Sequence, residues 1–233
     1  MELLAPLLDL LFPPRCAICR GRLDGQLQGV AICSTCQELV LDLSHCCKKC
    51  GYPLPQAADV SCHFCGNRSY AFAGACAVSL YQGNIRKAIH RFKYGGRKEL
   101  AAVFGPLLAR QVQLRDWGPM DVLVPVPLHQ QKLLERGYDQ ALLLAQAMGR
   151  TLKVPVKRLL TRTLHTQSQT ALHASQRWEN VADIFAPATN EHLPHRILLV
   201  DDLLTTGATA HFAATALRSA GAQDVYLAVI ARS

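Results

Sequence analysis

The stretch that decides the fold is ILLVDDLLTTGAT, residues 197–209. Four apolar residues open it, as expected for a strand of a parallel sheet that is buried on both faces. Apolar residues at helical spacing follow up to Gly221, and a second apolar run occupies residues 225–230. This order predicts a strand, a loop, a helix and a strand, which is typical of α/β proteins with a parallel sheet flanked by helices.

The loop of this unit carries groups that suit a phosphate. A helix start presents unpaired N–H groups and the positive end of the helix dipole, so a hydroxyl-rich loop there binds anions without a dedicated lysine. Asp201 and Asp202 precede the loop and suit ribose hydroxyls, bound directly or through a magnesium ion. Aspartates that only cap a turn are the alternative, but the full register favours a nucleotide site. The candidate phosphate ligands are Thr205, Thr206, Gly207, Ala208 and Thr209.

Nine of the ten cysteines lie before residue 66, and eight of these form four C-x-x-C pairs. Two thiolates from one tight turn take adjacent corners of a tetrahedron around zinc, so two pairs complete the coordination of one ion. A shell of four thiolates has no open position, which indicates two structural zinc ions. Sequential pairing predicts one zinc site at Cys16, Cys19, Cys33 and Cys36 and another at Cys47, Cys50, Cys62 and Cys65.

Two points of this assignment stay open in the sequence. Alternate pairs can cross, and Cys46 can replace its neighbour Cys47 as a ligand. Cys76 lies in an apolar run and is expected to be a buried thiol rather than a ligand. Positive φ is expected at the glycines that follow the pairs, which are Gly21, Gly51 and Gly66.

Charge and cysteine content divide the chain in the same place. Residues 1–70 hold six basic and six acidic residues, whereas residues 71–233 hold 19 basic and 11 acidic ones and carry the whole net charge of +8. We expect a double zinc ribbon domain with a short amphipathic N-terminal helix in residues 1–70, and an α/β domain in residues 71–233. Because no apolar stretch is long enough to span a membrane and the cysteines have metal-ligand spacing, a cytoplasmic protein is expected.

A basic helix is predicted from Asn84, its N-cap, to Gly95 and Gly96. Apolar residues at helical spacing define its buried face. From Arg86 to Lys98 the sequence carries six basic charges in 13 residues and no acidic one. This cluster is a candidate for binding nucleic acid or substrate phosphates, and an ordinary solvated face is an equal alternative. The nucleic-acid candidates are Arg86, Lys87, Arg91, Lys93 and Tyr94, the last to stack on a base.

Residues 197–209 resemble the phosphoribosyl-pyrophosphate signature of type I phosphoribosyltransferases. Together with the paired ribbons, they make nearly the whole chain similar to the ComF family, the ComF/GntX-type phosphoribosyltransferase-like proteins. The resemblance implies a type I phosphoribosyltransferase-like parallel sheet flanked by helices, with a small N-terminal Cys-rich double zinc ribbon. It also implies that residues 121–140, DVLVPVPLHQQKLLERGYDQ, contain a pyrophosphate-binding loop whose contacts are Lys132, Arg136 and Gly137.

Two local expectations accompany this resemblance. Asp139 is expected to cap the helix over residues 141–152. Residues 161–185 are expected to form a mobile loop that closes over substrate, and a simple surface loop is the alternative. The residues of this segment that match the family pattern are Arg162, Gln167, Gln169, Arg177 and Asn180.

The resemblance implies two functions of different classes. In a transferase, magnesium-bound phosphoribosyl pyrophosphate would react with a nitrogen nucleophile, with Asp201 and Asp202 as the catalytic residues. The sequence specifies neither a base-recognition pocket nor a proton acceptor, so the acceptor substrate and catalysis itself stay open. The alternative is a non-catalytic competence protein that binds single-stranded DNA and works with DNA-uptake proteins during natural transformation. The net charge of +8 is compatible with both functions.

Overall fold

A parallel four-stranded sheet forms the centre of the protein. The computed structural model describes residues 13–23, 31–54, 62–66, 68–162, 184–189 and 192–233. Within these ranges the sheet has the order β1-β6-β5-β2, formed by β1 (Gly74–Leu80), β2 (Val122–Pro125), β5 (Arg196–Leu204) and β6 (Asp224–Arg232). A separate antiparallel pair consists of β3 (Leu160–Arg162) and β4 (Phe185–Pro187). The expected α/β fold with a parallel sheet is confirmed.

Helices cover both faces of this sheet. The α-helices of the described part of the chain are α1 (Ser34–Gln37), α2 (Gly83–Tyr94), α3 (Leu100–Gln113), α4 (Gln130–Arg136), α5 (Gln140–Leu152) and α6 (Ala208–Ser219), and a 3-10 helix spans Leu43–His45. On one face α3 and α5 pack together, and on the other α6 packs with β3 and β4. Close packing of α3 on α5 requires Gly105, because a Cβ there would lie 2.3 Å from the Ala147 Cβ.

The continuous apolar run of β5 is explained by its burial on both faces. Leu198 and Val200 belong to the core beneath α3 and α5, whereas Ile197 and Leu199 belong to the core beneath α6. Side chains alternate between the two faces of a strand, so a strand covered on both sides is apolar throughout. The central position of β5 therefore follows from its sequence.

Each group of cysteines packs into a different core. Cys16, Cys33 and Cys36 are buried in the core that contains α2, α3 and α5. Cys62 and Cys65 are buried in the core that contains α6. The cysteine-rich segment is thus anchored to both faces of the sheet.

Local predictions agree with the structure with small corrections. The Asp139 carboxylate accepts a hydrogen bond from the Leu142 N–H at 3.0 Å, which confirms it as the cap of α5. The basic helix begins at Gly83, and its N-cap is Gln82, two residues before the expected N-cap Asn84. It ends at Gly95 as predicted. The correction at the start arises because no side chain caps this helix, so the N-cap signal of Asn84 is not used.

Other predictions fall partly or wholly outside the described residues. The expected N-terminal helix lies outside them, and so do residues 163–183 of the expected mobile loop. The two ends of that loop are the strands β3 and β4, which pair from Leu160↔Pro187 to Arg162↔Phe185. Among the described residues, no helix has the length and apolar character needed to cross a membrane.

Candidate functional site

A solvent-open cleft of about 240 Å³ lies beyond the carboxyl ends of β2 and β5. This is the edge at which open parallel sheets bind ligands. The cleft brings together side chains from α2, the segment after β2, the end of β3, and the end of β5. Its polar lining residues are Lys93, Lys132, Arg136, Asp139, Gln140, Arg162, Asp201, Asp202, Thr205 and Thr209.

The loop between β5 and α6 has the geometry of a phosphate-binding loop. β5 ends at Leu204, α6 begins at Ala208, and Gly207 occupies the N-cap with φ 87°. The N–H of Ala208 donates to the Thr206 Oγ1 at 3.4 Å. Thr206, Gly207 and Ala208 line a small pocket that adjoins the cleft and shares Asp201, Thr205 and Thr209 with it. Hydroxyl groups and the free N–H groups of the first turn of α6 are therefore offered to one anion.

Position 207 requires a glycine for two reasons, its backbone conformation and the lack of space for a side chain. Its positive φ is disfavoured for any residue with a side chain. A Cβ at this position would also lie 2.5 Å from the Cε1 of Tyr70. The Tyr70 hydroxyl donates to the Thr206 carbonyl at 3.1 Å. The loop is thus held against an aromatic ring from the segment that follows the cysteines.

The two aspartates at the end of β5 have different environments. Asp202 is 8% exposed, and its Oδ1 lies 2.7 Å from the Lys93 Nζ. The Asp201 Oδ1 accepts a hydrogen bond from the Asp202 N–H at 2.7 Å. Burial, together with the Asp202 carboxylate, raises the pKa of Asp201 to about 7. Near neutral pH, Asp201 is therefore the carboxyl that takes up a proton readily, whereas Asp202 is paired with Lys93.

Opposite the aspartates, the segment after β2 supplies basic groups. Arg136 is the last residue of α4, and Gly137 follows at its C-cap with φ 72°. The Arg136 Nη1 donates to the Gln140 Oε1 at 2.8 Å, and its guanidinium carbon lies 4.9 Å from the ring centre of Tyr94. Lys132, one turn earlier in α4, also lines the cleft. These contacts aim a planar cation at the cleft, which suits a phosphate or pyrophosphate group.

The residues predicted on the basic helix α2 divide between two places. At the end of α2, Lys93 forms an ion pair with Asp202, and the Tyr94 hydroxyl accepts a hydrogen bond from Arg136. Both residues therefore lie on the cleft side of the molecule. Arg91 donates to the backbone carbonyl of Ile18, which lies in the turn between Cys16 and Cys19. The remaining candidates, Arg86 and Lys87, line a groove between α2 and that turn, together with Arg20, His90 and Arg91.

The cleft also contains polar residues that the sequence did not mark as ligand contacts, among them Asp139 and Gln140. Asp139 caps α5 and also lines the cleft, and burial raises the pKa of its carboxyl group. Gln140 follows it and accepts from Arg136. The available signal was their position in the RGYDQ segment, directly after Arg136 and Gly137. Lys93 was expected on a nucleic-acid surface, and only its contact with Asp202 places it beside the aspartates.

The eight C-x-x-C cysteines form two clusters with sequential pairing. In each cluster the four Sγ atoms lie within 4.8 Å of one another. The spacings include 3.6 Å for Cys19 and Cys33 and 3.5 Å for Cys50 and Cys62. Tetrahedral zinc with Zn–S bonds of about 2.3 Å separates its ligands by about 3.8 Å, so both clusters fit zinc. We call them the first cluster (Cys16, Cys19, Cys33 and Cys36) and the second cluster (Cys47, Cys50, Cys62 and Cys65).

The remaining cysteines are not part of either cluster. The Cys46 Sγ donates to the Asp42 carbonyl at 3.3 Å and packs in the core, so Cys47 is the ligand candidate. Cys76 is fully buried in β1, where burial raises its pKa to about 12. Positive φ occurs at Gly51 and Gly66 as expected, whereas in the first cluster it occurs at Arg20 rather than Gly21.

The fold and clusters define an α/β protein with a parallel sheet flanked by helices and a Cys-rich segment that forms two four-cysteine clusters. A sequence profile of the double zinc ribbon domain matches residues 7–66. Competence protein F of Haemophilus influenzae is 30% identical over 226 residues, which cover 94% of this chain and 97% of that protein. DNA utilization protein YhgH of Escherichia coli is 30% identical over 232 residues, or 96% and 99% of the two chains. The chain belongs to the ComF family.

Part of the chain aligns with a solved structure, the glutamine phosphoribosylpyrophosphate amidotransferase from B. subtilis complexed with ADP and GMP. It is 19% identical to this chain, with a TM-score of 0.41. The match covers 59% of this chain and 30% of that one.

Proposed function

We propose that the cleft binds phosphoribosyl pyrophosphate. The observation that supports this most strongly is the convergence of three sets of groups from distant parts of the sequence. In the proposed arrangement, residues 205–209 hold the 5′-phosphate, Asp201 and Asp202 hold the ribose hydroxyls, and Lys132 and Arg136 hold the pyrophosphate. Gly137 lets the chain turn directly after Arg136, since its φ is 72°.

Charge complementarity supports an anionic ligand of this size. Four basic side chains line the cleft, Lys93, Lys132, Arg136 and Arg162. Three acidic side chains line it as well, Asp139, Asp201 and Asp202, and the rise of the Asp201 pKa to about 7 reduces the negative charge of that carboxyl near neutral pH. The cleft is therefore net positive when it is empty, as binding of a phosphate and a pyrophosphate requires.

The family resemblance implies magnesium, and the cleft offers one carboxylate that could bind it. Mg²⁺ typically keeps several waters and takes one or two protein carboxylates together with substrate phosphates. Asp201 offers such a carboxylate, whereas Asp202 is already paired with Lys93. Bound together with pyrophosphate, the ion would neutralise the charge on the leaving group. The protein itself contributes Lys93, Lys132 and Arg136 to the same task.

If the ligand reacts, the cleft supports transfer of phosphoribose to a nitrogen nucleophile. The nucleophile would form a bond to the anomeric carbon, the bond to pyrophosphate would break, and the nucleophile's proton would pass to solvent. The side chains of the cleft act by positioning and charge stabilisation. The reducing cytoplasm, where cysteine-bound zinc persists, is the proposed location.

Calorimetric titration with phosphoribosyl pyrophosphate tests the binding proposal. We expect one ligand per chain and a large loss of affinity in Asp202→Asn, since that change removes an acceptor for ribose and the partner of Lys93. Asp224→Asn is the matched control, because Asp224 lies at the start of β6, at the opposite end of the sheet. Absence of binding to the wild type, with and without Mg²⁺, would overturn the proposal.

A screen for pyrophosphate release over bases and amines tests transfer separately. An enzyme would release pyrophosphate with at least one acceptor and lose this activity in Asp202→Asn. Binding without release in any reaction would restrict the function to ligand binding. The two assays therefore distinguish a transferase from a binding protein that has the same cleft.

A second candidate function is binding of single-stranded DNA in the groove between α2 and the first cluster. Its basic lining consists of Arg20, Arg86, Lys87, His90 and Arg91. Relatives of this chain are named as a competence protein and a DNA utilization protein. Tyr94 is 64% exposed at the far end of the same helix and offers an aromatic face for a base. A strand of DNA that follows α2 would meet both features.

The DNA proposal is tested by salt-dependent binding of an oligonucleotide. Arg86→Ala combined with Lys87→Ala should weaken binding and reduce the slope of log affinity against log salt by about 1.4, since each lost phosphate contact contributes about 0.7 for single strands. Arg150→Ala with Lys157→Ala changes the charge equally at exposed sites elsewhere and should have a smaller effect. Equal effects of the two double variants would contradict a specific groove. Phosphoribosyl-pyrophosphate binding should be unchanged in both.

A further inference from the structure

The second cluster lies beside the phosphate-binding loop, and a buried arginine joins the two. Arg232, in β6, is 2% exposed. Its Nη1 donates to the carbonyls of Leu204 at 3.0 Å and Thr205 at 2.5 Å, where β5 becomes the loop. A buried guanidinium needs acceptors for its rigid set of donors. It therefore fixes the backbone at the start of the loop.

The other side of Arg232 contacts aromatic residues of the second cluster. Its guanidinium carbon lies 5.9 Å from the ring centre of Tyr52 and 5.6 Å from that of Phe64. These two rings stack on one another with centres 3.4 Å apart. Both distances to the cation are within the range of cation–π attraction. The aromatic pair is thus the surface on which Arg232 rests.

The positions of these two rings depend on the second cluster. Phe64 lies between the ligands Cys62 and Cys65, and Tyr52 follows Cys50 by two residues. The Tyr52 carbonyl accepts from the Cys47 N–H at 2.8 Å. A metal ion that closes the cluster would fix both turns, and with them the ring pair.

Tyr70 makes a second connection between the cluster and the loop. Its hydroxyl donates to the Thr206 carbonyl, and its ring fills the space where Gly207 lacks a side chain. The Nζ of Lys49, within the Cys47–Cys50 turn, lies 5.9 Å from the centre of the same ring. Three successive backbone units of the loop, from Leu204 to Thr206, therefore accept hydrogen bonds from Arg232 or Tyr70.

We propose that the second cluster, when it holds zinc, positions the phosphate-binding loop through Arg232 and Tyr70, so that zinc and phosphate binding are linked. The ligand part of this inference rests on the proposed function. An ordered loop loses less conformational entropy when it binds, so its affinity is higher. Linkage is reciprocal, hence phosphoribosyl pyrophosphate should slow the loss of zinc from this cluster. The first cluster packs in the opposite core and should be independent.

Matched cysteine variants of the full chain test this proposal. Cys62→Ser disrupts the second cluster and Cys19→Ser the first, so each should retain about one zinc ion. Hydrogen exchange at residues 205–209 is the main readout, because it needs no ligand. We expect exchange there to be roughly tenfold faster in Cys62→Ser, about 1.4 kcal/mol in local opening, and unchanged in Cys19→Ser. Equal exchange in the two variants would overturn the proposal.

Two milder variants separate positioning from a general loss of folding. Arg232→Lys keeps the charge but loses the planar set of donors, and Tyr70→Phe keeps the ring but loses the bond to Thr206. Both should retain two zinc ions, accelerate exchange at residues 205–209, and weaken phosphoribosyl-pyrophosphate binding. If neither changes loop exchange, the proposed connection is wrong even if the cysteine variants unfold.

Zinc release to a coloured chelator tests the linkage in the other direction. Phosphoribosyl pyrophosphate should slow release from one of the two clusters, and Cys62→Ser should abolish the slowed phase. If the wild type does not bind the ligand, the proposed function fails while the exchange experiment still decides the role of Arg232 and Tyr70. If the ligand binds and neither release phase slows, the linkage is refuted.

Discussion

Asp201→Asn is expected to stabilise the protein more strongly at pH 8 than at pH 6. Burial and the neighbouring Asp202 raise the pKa of Asp201 to about 7 in the folded protein. Between about pH 4 and pH 7 the folded state therefore holds a proton that the unfolded state has lost, and stability falls as the pH rises through this window. Asparagine has no charge to bury and can still accept the hydrogen bond from the Asp202 N–H.

The size of the stability difference follows from the rise of the Asp201 pKa on folding. A rise from about 3.9, the value of an unperturbed aspartate, to about 7 costs the wild type about 4 kcal/mol at pH 8. At pH 6 most of the carboxyl population in the folded protein is protonated, and the cost is about 3 kcal/mol. The advantage of the variant over the wild type should thus grow by about 1 kcal/mol between the two pH values.

Urea unfolding of the zinc-loaded protein at pH 6 and pH 8 measures this difference. Zinc binding itself depends on pH, but its contribution cancels between wild type and variant. Asp116→Asn, at an exposed site, is the control and should change stability by less than about 0.5 kcal/mol at both pH values. A stability difference between Asp201→Asn and wild type that is the same at pH 6 and pH 8 would refute the reasoning.

Three further predictions concern the loop, the acidic pair and the metal ions. Gly207→Ala should destabilise the protein by about 1–3 kcal/mol more than Gly96→Ala in thermal unfolding, because both glycines have positive φ but only Gly207 faces the Tyr70 ring. Equal costs would contradict this packing. Lys93→Met should lower stability by about 3 kcal/mol, since it leaves the Asp202 carboxylate without its cation, whereas Lys93→Arg keeps the cation and should retain most of the stability. Elemental analysis should find about two zinc ions per chain, and a value near one would mean that one cluster holds no zinc.

The sequence predicted those features of the fold that arise from neighbouring residues. The β5–loop–α6 unit is contiguous, and its alternating burial on two faces is visible as an apolar run. The C-x-x-C pairs likewise identify their own metal, because the spacing itself creates the ligand geometry. The helix cap at Asp139 was also predictable, because it needs only the Asp139 carboxylate and the N–H of Leu142, three residues later.

Contacts between distant segments could not be predicted in the same way. Lys93 and Asp202 are far apart in the sequence, and which way Lys93 points depends on how α2 packs beside the sheet. The boundaries of β5 were also missed, since pairing with β6 extends the strand through both aspartates to Leu204. Arg232 gave no sequence signal, because an arginine in a β-strand is usually exposed and only the fold buries this one.

The crystal structure of the zinc-loaded protein grown with phosphoribosyl pyrophosphate tests the central claim most directly. The proposed function predicts the 5′-phosphate at residues 205–209, the ribose beside Asp201 and Asp202, and the pyrophosphate within reach of Lys132 and Arg136. A ligand bound in the groove between α2 and the first cluster, or an empty cleft at saturating ligand, would contradict it.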